Sequence, residues 1–338
     1  MNIKTDFCLK PFNTFGIEIM ARRCAQITSP GDMFDLFESN ELSKQPILVV
    51  GEASNILFLD HFEGLVLMNL MRGKKIILET ETEIILEVNA GEYWLSLVDF
   101  AVDKGWWGIE NLSMIPGKVG AAPVQNIGAY GTELKDIFVS LEAFDMEKGE
   151  LVNFNNEDCQ FGYRDSVFKN KFKGRFLILS VTLKLSKLPK PNLSYKALAD
   201  TFSGKNSEEI SLSDVRDNVN QIRESKLPDP QKIKNAGSFF KNPVVDKETA
   251  SKLKSEFNDL PIYEVSESKS KLAAAWLIES CGWKGKRIGY AYVHDKQALV
   301  LVNLGNAKGT DILKLANDIE TSVFEKFGVK LQKEVTVV

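Results

Sequence analysis

The local structure of this chain is constrained most strongly at residues 226–243, where the backbone has little conformational freedom. It reads KLPDPQKIKNAGSFFKNP. Pro228 and Pro230 cannot donate backbone hydrogen bonds, and they bias the residues before them toward extended conformations. Gly237 permits a positive φ and a close approach of neighbouring backbone. The segment is therefore predicted to be a stiff polar loop.

The hydroxyl of Ser238 lies at the centre of this loop. Two aromatic residues follow it, Phe239 and Phe240, and their burial would fix the backbone on one side of the hydroxyl. Lys226 and Asn242 flank the loop and offer an ammonium and an amide to an anionic ligand. One interpretation is a serine held rigidly beside an anion-binding site. The other is a surface turn whose serine caps the next helix.

Composition limits the classes of protein that this chain can belong to. Its 338 residues suffice for two or three domains, and its net charge of −4 argues against general nucleic-acid binding. We find no apolar run of membrane-spanning length and no signal-peptide core. The four cysteines form no CxxC pair, which predicts reduced thiols in the cytoplasm. The two histidines form no HExxH or Cys/His cluster, so no transition-metal site is expected.

Two small-residue segments suggest a phosphate-bearing ligand. The first, GEASN at 51–55, lies between strand-like apolar runs, and successive N–H groups in such a turn can cradle an anion. The second, 108–131, reads GIENLSMIPGKVGAAPVQNIGAYG, and its small residues allow backbone to approach a flat ligand. It lacks the G-x-G-x-x-G spacing of a Rossmann site. An irregular glycine-rich connection would explain it equally well.

Apolar periodicity elsewhere predicts a mixture of strands and helices. Strands are predicted at 47–50, 56–59, 65–70, 76–78, 84–88, 137–144, 176–185 and 298–302, with an alternating tail at 329–338. Helices are predicted at 32–37, 93–104, 213–224, 246–257 and 310–327. Asp246 is a candidate N-cap and Gly328 a candidate C-terminal stop. In the tail, the pattern alone makes Glu334 an exposed edge charge.

The segments KLPDP and NAGSFFKNP together resemble the signature of the UDP-N-acetylenolpyruvoylglucosamine reductase family, flavoenzymes that make UDP-N-acetylmuramate for bacterial peptidoglycan. The resemblance extends from NTFGI at Asn13 to KEV at Lys333, and a tyrosine-bearing segment at Tyr195 resembles the family's longer subtype. It implies an α+β protein: a two-part FAD-binding fold of the vanillyl-alcohol oxidase type plus a C-terminal α+β substrate domain. The expected parts are FAD-binding subdomain 1 at 1–74 with the C-terminal strand 329–338, subdomain 2 at 75–227 and the substrate domain at 228–328.

The same resemblance implies FAD as cofactor and NADPH as co-substrate. The two flavin segments contain neither histidine nor cysteine, so FAD is expected to be held noncovalently. The implied flavin ligands are Gly51, Glu52, Ala53, Ser54, Asn55, Pro116, Gly117, Gly120, Ala121, Gln125, Asn126, Gly128, Ala129, Tyr130 and Gly131. The family more often has glycine where Ala53 stands, and serine is common where Ala121 and Ala122 stand. These alanines keep the small size of the segments but remove possible hydroxyl ligands.

The implied reaction consists of two half-reactions at one flavin. NADPH reduces FAD, and flavin N5 then gives hydride to the β-carbon of the substrate's enol ether. Ser238 gives a proton to the α-carbon. By the resemblance, Arg164 of the YRDS segment and Glu334 stabilise the negative charge that develops there. The implied substrate ligands are Lys226, Asn242, Tyr195, Tyr263 and Gln297. A monomer that binds neither nucleic acid nor membrane is expected.

Three alternative functions remain open from the sequence. The chain could be another FAD oxidoreductase of the same fold. Ser238 with Lys226 could form the Ser–Lys nucleophile pair of a hydrolase. A non-catalytic UDP-sugar-binding module is the third alternative. A yellow purified protein would exclude the simplest form of the hydrolase.

Overall fold

The computed structural model describes residues 2–338, except for the side chain of Ser207. The chain forms two compact units. Unit 1 contains the segment up to Phe7 together with Ala21–Glu52 and Phe62–Ser225, and unit 2 contains Cys8–Met20, Ala53–His61 and Lys226–Val338.

The strands and helices follow in chain order. The strands are β1 Ile3–Cys8, β2 Met20–Ile27, β3 Ile47–Val50, β4 Ile56–Leu57, β5 Phe62–Asn69, β6 Lys74–Glu79, β7 Glu83–Asn89, β8 Gly128–Ala129, β9 Thr132–Glu133, β10 Phe138–Asp145, β11 Glu150–Asn155, β12 Phe176–Ser186, β13 Lys234–Ser238, β14 Val244–Asp246, β15 Ile262–Glu264, β16 Lys269–Leu272, β17 Arg287–Ile288, β18 Ala291–Val293, β19 Val300–Asn303 and β20 Thr336–Val337. The α-helices are α1 Pro30–Glu38, α2 Trp94–Asp103, α3 Asn156–Cys159, α4 Lys196–Thr201, α5 Leu212–Lys226, α6 Lys247–Glu256, α7 Ala274–Ser280 and α8 Gly309–Phe327.

A four-stranded sheet of order β1-β2-β5-β3 begins unit 1. Strand β5 runs parallel to both β2 and β3. Its apolar residues are buried on both faces, as is usual for the central strand of a parallel sheet. Helix α1 packs on this sheet through Met33 and Leu36, and its N-cap Ser29 accepts from the N–H of Asp32.

The second sheet of unit 1 is antiparallel, with the order β11-β10-β12-β7-β6. Strand β7 alternates between buried and half-buried residues, so one face is turned to the core. Helix α2 covers that core with Trp94, Leu97, Val98 and Ala101. The glycine-rich segment adds Ile109, Leu112, Val119, Ala122 and Ile127 to the same core. This irregular segment is thereby anchored by its own apolar residues.

Unit 2 is built on an antiparallel sheet of order β13-β19-β18-β17. Helix α8 buries one continuous face, with Ile312, Leu315, Ile319 and Val323. It begins at Gly309, where an added Cβ would lie 1.8 Å from the carbonyl oxygen of Phe58. The unit also contains the three-stranded sheet β14-β16-β15 and the parallel pair β20-β4.

Several local predictions are confirmed. Asp246 caps α6 by accepting from the N–H of Thr249 at 2.7 Å. Gly328 ends α8 with φ of 66°. The strands predicted at 76–78 and 84–88 lie in β6 and β7, which pair antiparallel.

The segment around Ser238 differs from the predicted loop. Helix α5 continues to Lys226, and Lys234–Ser238 is a strand paired antiparallel with β19. The pairing is irregular between Asn235 and Ser238, where Gly237 adopts the predicted positive φ of 70°. A buried partner strand distant in sequence thus supplies hydrogen bonds that local composition did not indicate. The tail is also less regular than predicted, since only β20 within it forms a strand.

Candidate functional site

In unit 2, the backbone of one buried residue connects two candidate catalytic residues. Ser238 pairs with Val300 at the end of β13. The next residue, Phe239, donates its N–H to the carbonyl of Leu299 at 2.7 Å. The carbonyl of Phe239 accepts from the N–H of Glu334 at 2.8 Å. Ser238 and Glu334 are therefore fixed by a common backbone framework, and both are half-buried.

Two phenylalanines hold this framework in place. Phe239 and Phe240 are 0% and 1% exposed, which confirms their predicted burial. Their ring centroids lie 5.2 Å apart in an edge-to-face arrangement, and Phe15 packs against Phe239 at 6.4 Å. The backbone on the C-terminal side of the Ser238 hydroxyl is consequently rigid.

Asn235 restrains the backbone on the N-terminal side of Ser238. The sequence analysis did not identify this residue. It is 1% exposed, and its amide nitrogen donates to the carbonyls of Pro228 at 3.2 Å and Ile233 at 2.7 Å. Its Oδ1 accepts from the N–H of Gly237 at 2.8 Å. An asparagine directly before a positive-φ glycine is the local sign of such a turn.

Glu334 is held by a residue of the first small-residue segment. Asn55 donates from its side chain to the carbonyl of Glu334 at 3.2 Å, and its own carbonyl accepts from Thr336 at 3.0 Å. Gln297 lies on the same framework, since its Oε1 accepts from the N–H of Leu299 at 3.3 Å. The fold thus joins a predicted flavin ligand, a predicted substrate ligand and a predicted catalytic residue through short hydrogen-bonded paths.

The remaining predicted substrate ligands of unit 2 are less closely connected to the framework around Ser238. Asn242 accepts from the N–H of Ala274 at 2.9 Å through Oδ1, which leaves its NH₂ group as a donor for a ligand. Lys226 and Tyr263 are exposed. Among residues 2–338, no hydrogen bond or ring contact joins either of these side chains to Ser238.

In unit 1, the two predicted flavin segments meet at Gly51–Glu52 and Gly117. The N–H of Gly117 donates to Oε2 of Glu52 at 2.9 Å. An added Cβ at Gly51 would lie 3.2 Å from Cβ of Lys118, so the lysine stem packs directly on the glycine. Burial lowers the pKa of Lys118, and the positive charge of Arg72 lowers it further, against the opposing effects of Glu52 and a second carboxylate.

Backbone strain is concentrated in the predicted flavin segments and beside them. Met114, Asn126 and Tyr130 have φ of 55°, 43° and 51°. Ala53 has φ of 41°, a backbone conformation that glycine adopts at lower cost than alanine. Residues held in this left-handed region often mark ligand sites.

A second group in unit 1 surrounds Arg164, whose own φ is 54°. Its guanidinium donates to the carbonyl of Gly128. The ring of Tyr130 packs edge-to-face on that of Tyr195 at 4.9 Å. Arg223, which the sequence analysis did not identify, hydrogen-bonds to Tyr130 and donates to the carbonyl of Met114 at 3.2 Å.

Burial lowers the pKa of Arg223, with Arg164 adding a repulsive positive charge. Two guanidinium groups near each other favour a negatively charged ligand. The predicted residues Arg164, Gly128, Tyr130 and Tyr195 are therefore brought together, and Arg223 extends the group. An arginine on an amphipathic helix gives no sequence signal for such a role.

Some buried polar atoms of the glycine-rich segment have no hydrogen-bond partner among the described residues. They are Oδ1 of Asn111 and Oγ of Ser113. The amide nitrogen of Asn111 donates to the carbonyls of Tyr130 at 2.7 Å and Asn192 at 2.8 Å. Small residues, strained backbone, a buried ammonium and orphaned polar atoms form a set that fits a flat, phosphate-bearing cofactor such as FAD.

Within residues 2–338, no helix is long and apolar enough to cross a membrane. The described side chains also contain no group of at least three His, Cys, Asp or Glu residues arranged to hold a metal ion.

Comparison with known proteins gives two family matches. Residues 23–155 match the FAD binding domain family, and residues 229–338 match the family described as UDP-N-acetylenolpyruvoylglucosamine reductase, C-terminal domain. The UDP-N-acetylenolpyruvoylglucosamine reductase of Flavobacterium johnsoniae is 45% identical over 339 residues, covering 100% of both chains. The enzyme of the same name from Burkholderia mallei is 44% identical over 336 residues, covering 99% of this chain and 97% of the relative.

Solved structures support the same fold. UDP-N-acetylenolpyruvylglucosamine reductase from Thermus caldophilus superposes with a TM-score of 0.69 at 23% identity, covering 99% of this chain and 98% of that one. A 4-ethylphenol oxidase from Gulosibacter chungangensis superposes with a TM-score of 0.53 at 11% identity, covering 97% of this chain and 85% of that one. The expected α+β fold, an FAD-binding part of the vanillyl-alcohol oxidase type plus a C-terminal domain, is confirmed. With full-length identity of 45% to a curated relative, the chain belongs to the UDP-N-acetylenolpyruvoylglucosamine reductase family.

Proposed function

We propose that this protein reduces the enolpyruvyl group of UDP-N-acetylenolpyruvoylglucosamine to give UDP-N-acetylmuramate for peptidoglycan synthesis, with FAD as cofactor and NADPH as reductant. The proposal rests most directly on the backbone framework that joins Ser238, Phe239 and Glu334. This framework occurs in a chain that is 45% identical over its full length to a reductase of that name.

FAD is proposed to bind noncovalently along the two small-residue segments, 51–55 and 116–131. When bound, FAD would supply the carrier that accepts hydride from NADPH and gives it to the β-carbon of the substrate. Neither segment contains histidine or cysteine for a covalent link. Acid precipitation of the protein is expected to leave the yellow colour in the supernatant, and colour retained in the unfolded pellet would contradict noncovalent binding.

Ser238 is proposed to donate the proton that the α-carbon of the substrate requires. A serine hydroxyl is a weak acid, but the carbanion beside a carboxylate is a much stronger base, so the transfer is downhill. The rigid backbone on both sides of Ser238 supports this role, because a proton donor must be held within hydrogen-bonding reach of its target.

Glu334 and Arg164 are proposed to stabilise the negative charge that develops on the substrate's α-carbon and carboxylate. Arg164 supplies a permanent positive charge, and Glu334 acts in protonated form or through a hydrogen bond. Lys226, Asn242 and Gln297 are proposed ligands of the substrate, together with Tyr195 and Tyr263.

We also propose that the chain is of the longer subtype with the tyrosine-bearing insertion. The proposed parts are 1–74 with the strand 329–338, 75–227 and 228–328.

The proposal is tested by the spectrum and the reaction of the purified protein. A flavin absorbance band is expected, and NADPH oxidation should depend on UDP-N-acetylenolpyruvoylglucosamine. The matched control substrate is UDP-N-acetylglucosamine, which lacks the enolpyruvyl group. The product should gain the mass of two hydrogen atoms relative to the substrate, as reduction of one C=C bond requires. A colourless protein, or a yellow one that ignores the enolpyruvyl sugar, would contradict the proposal.

A further inference from the structure

Among residues 2–338, Lys118 in unit 1 is a buried cation with no carboxylate partner. The residue is 5% exposed. Its ammonium donates one hydrogen bond, to the carbonyl of Asn69 at 3.3 Å, and lies 5.0 Å from the centroid of the Tyr93 ring. Within the described part of the chain, no carboxylate oxygen lies within 4.0 Å of this nitrogen. An ammonium has three donors, so its hydrogen-bonding capacity is only partly used.

The two acidic side chains that act on the charge of Lys118, Glu52 and Glu92, already have other partners. Glu92 pairs with Arg72 at 3.2 Å and with Lys74 at 3.6 Å. Glu52 accepts an N–H of the second flavin segment at 2.9 Å. The group therefore contains the three cations Lys118, Arg72 and Lys74 against two carboxylates. Among the described residues of this group, positive charges therefore outnumber negative charges by one.

Such an arrangement is unfavourable for the protein alone. A buried charge is tolerated when it is paired and hydrogen-bonded, and an unpaired one lowers stability. Burial lowers the pKa of Lys118, and the positive charge of Arg72 lowers it further; the two effects together outweigh those of Glu52 and Glu92, which raise it. The lysine stem packs on Gly51, and the residue directly follows Gly117. An anion that reaches both small-residue segments would supply the missing negative charge.

We propose that Lys118 binds a phosphate group of FAD and that its charge is balanced only when the cofactor is bound. This inference rests on the proposed function, and it adds Lys118 to the expected flavin ligands. A phosphate is favoured because the segments on either side of Lys118 offer small residues and backbone N–H groups.

The test uses Lys118→Met, which keeps an unbranched side chain one atom shorter than lysine and removes the charge. Lys74→Met is the matched control, since Lys74 lies in the same group but is paired with Glu92. Flavin-free protein is titrated with FAD and, separately, with riboflavin, which has no phosphate, and quenching of flavin fluorescence gives the dissociation constants. Loss of a charge-assisted contact is expected to weaken FAD binding about 10–100-fold in Lys118→Met. Riboflavin binding should be unchanged in that variant, and FAD binding should change less than about threefold in Lys74→Met.

The melting temperature of the flavin-free protein separates ligand binding from a structural role. If the charge of Lys118 is balanced only when an anion is bound, flavin-free Lys118→Met should melt at or above the wild-type temperature. Lys118→Arg, which keeps the charge, should retain FAD affinity. Equal FAD affinity in wild type and Lys118→Met would overturn the assignment. So would a lower melting temperature of the flavin-free variant, or equal losses for FAD and riboflavin. Failure of the wild-type protein to bind either flavin would instead overturn the proposed function, and this role with it.

Discussion

The Ser238 region of unit 2 and the glycine-rich region of unit 1 differ in how far the protein satisfies its own polar groups. Around Ser238, the backbone hydrogen bonds of Phe239 and the three side-chain bonds of Asn235 form a closed framework. In the glycine-rich region, Ser113 retains a buried hydroxyl with no hydrogen-bond partner among the described residues, and Lys118 is a buried cation with no carboxylate partner among them. The first region is organised without a ligand, whereas we infer that a ligand completes the second.

The largest effect expected from this difference is stabilisation by the cofactor. FAD at about 1,000 times its dissociation constant should raise the free energy of unfolding by about 4 kcal/mol. Hydrogen exchange should show the gain in protection mainly at residues 111–131 and much less at 234–240. Similar gains at both segments would contradict the distinction between an incomplete and a preformed region.

Removal of the Asn235 side chain should reveal how much the preformed framework depends on it. Asn235→Ala deletes three hydrogen bonds to partly buried backbone groups, so we expect a loss of about 3 kcal/mol in unfolding free energy. Urea denaturation measures this loss, and Asn153→Ala, at an exposed position, is the control. A loss no larger than the control's would show that the framework does not depend on this side chain.

Lys226→Ala should affect substrate binding and leave flavin reduction unchanged. An ammonium beside a diphosphate contributes about 1.5–3 kcal/mol, so the apparent affinity for the UDP-sugar should fall about 10–100-fold. Steady-state kinetics gives the affinity, and stopped-flow absorbance gives the rate of flavin reduction by NADPH. Unchanged affinity would place Lys226 on the solvated surface and outside the substrate site.

The smallest effect is expected at Ala53, where the strain is confined to one residue. Ala53→Gly relieves the positive φ of 41° but increases the freedom of the unfolded chain. The two effects oppose each other, so the unfolding free energy should rise by about 1 kcal/mol or less. Calorimetry of the flavin-free protein measures this change. A clear loss of stability would show that the methyl group of Ala53 matters more than its backbone strain.

Features fixed by short-range chemistry were predictable from the sequence. Asp246 precedes a helical pattern and caps it, and Gly328 ends α8 because glycine adopts a positive φ at low cost. The positive φ of Gly237 followed the same reasoning. In each case, the cause lies within a few residues of the effect.

Features that depend on distant partners were not predictable in this way. Strand β13 exists because β19, far along the chain, offers an antiparallel partner. Glu334 looked like an exposed edge charge from alternation alone, but its N–H bonds to Phe239 and the residue is half-buried. The burial of Lys118 and the contacts of Arg223 likewise arise from residues far apart in the chain. Only the family resemblance pointed to Glu334 in advance.

The proposed role of Ser238 is tested most directly by following the two half-reactions separately in Ser238→Ala. Stopped-flow absorbance should show flavin reduction by NADPH at nearly the wild-type rate, because that step does not need the serine proton. Reoxidation by the enolpyruvyl sugar should slow about 10²–10⁴-fold, as is typical for loss of a general acid, and Ser238→Cys should recover part of the rate. Equal slowing of both steps would contradict the account, since Ser238 would then support the fold or the flavin and would not be the proton donor.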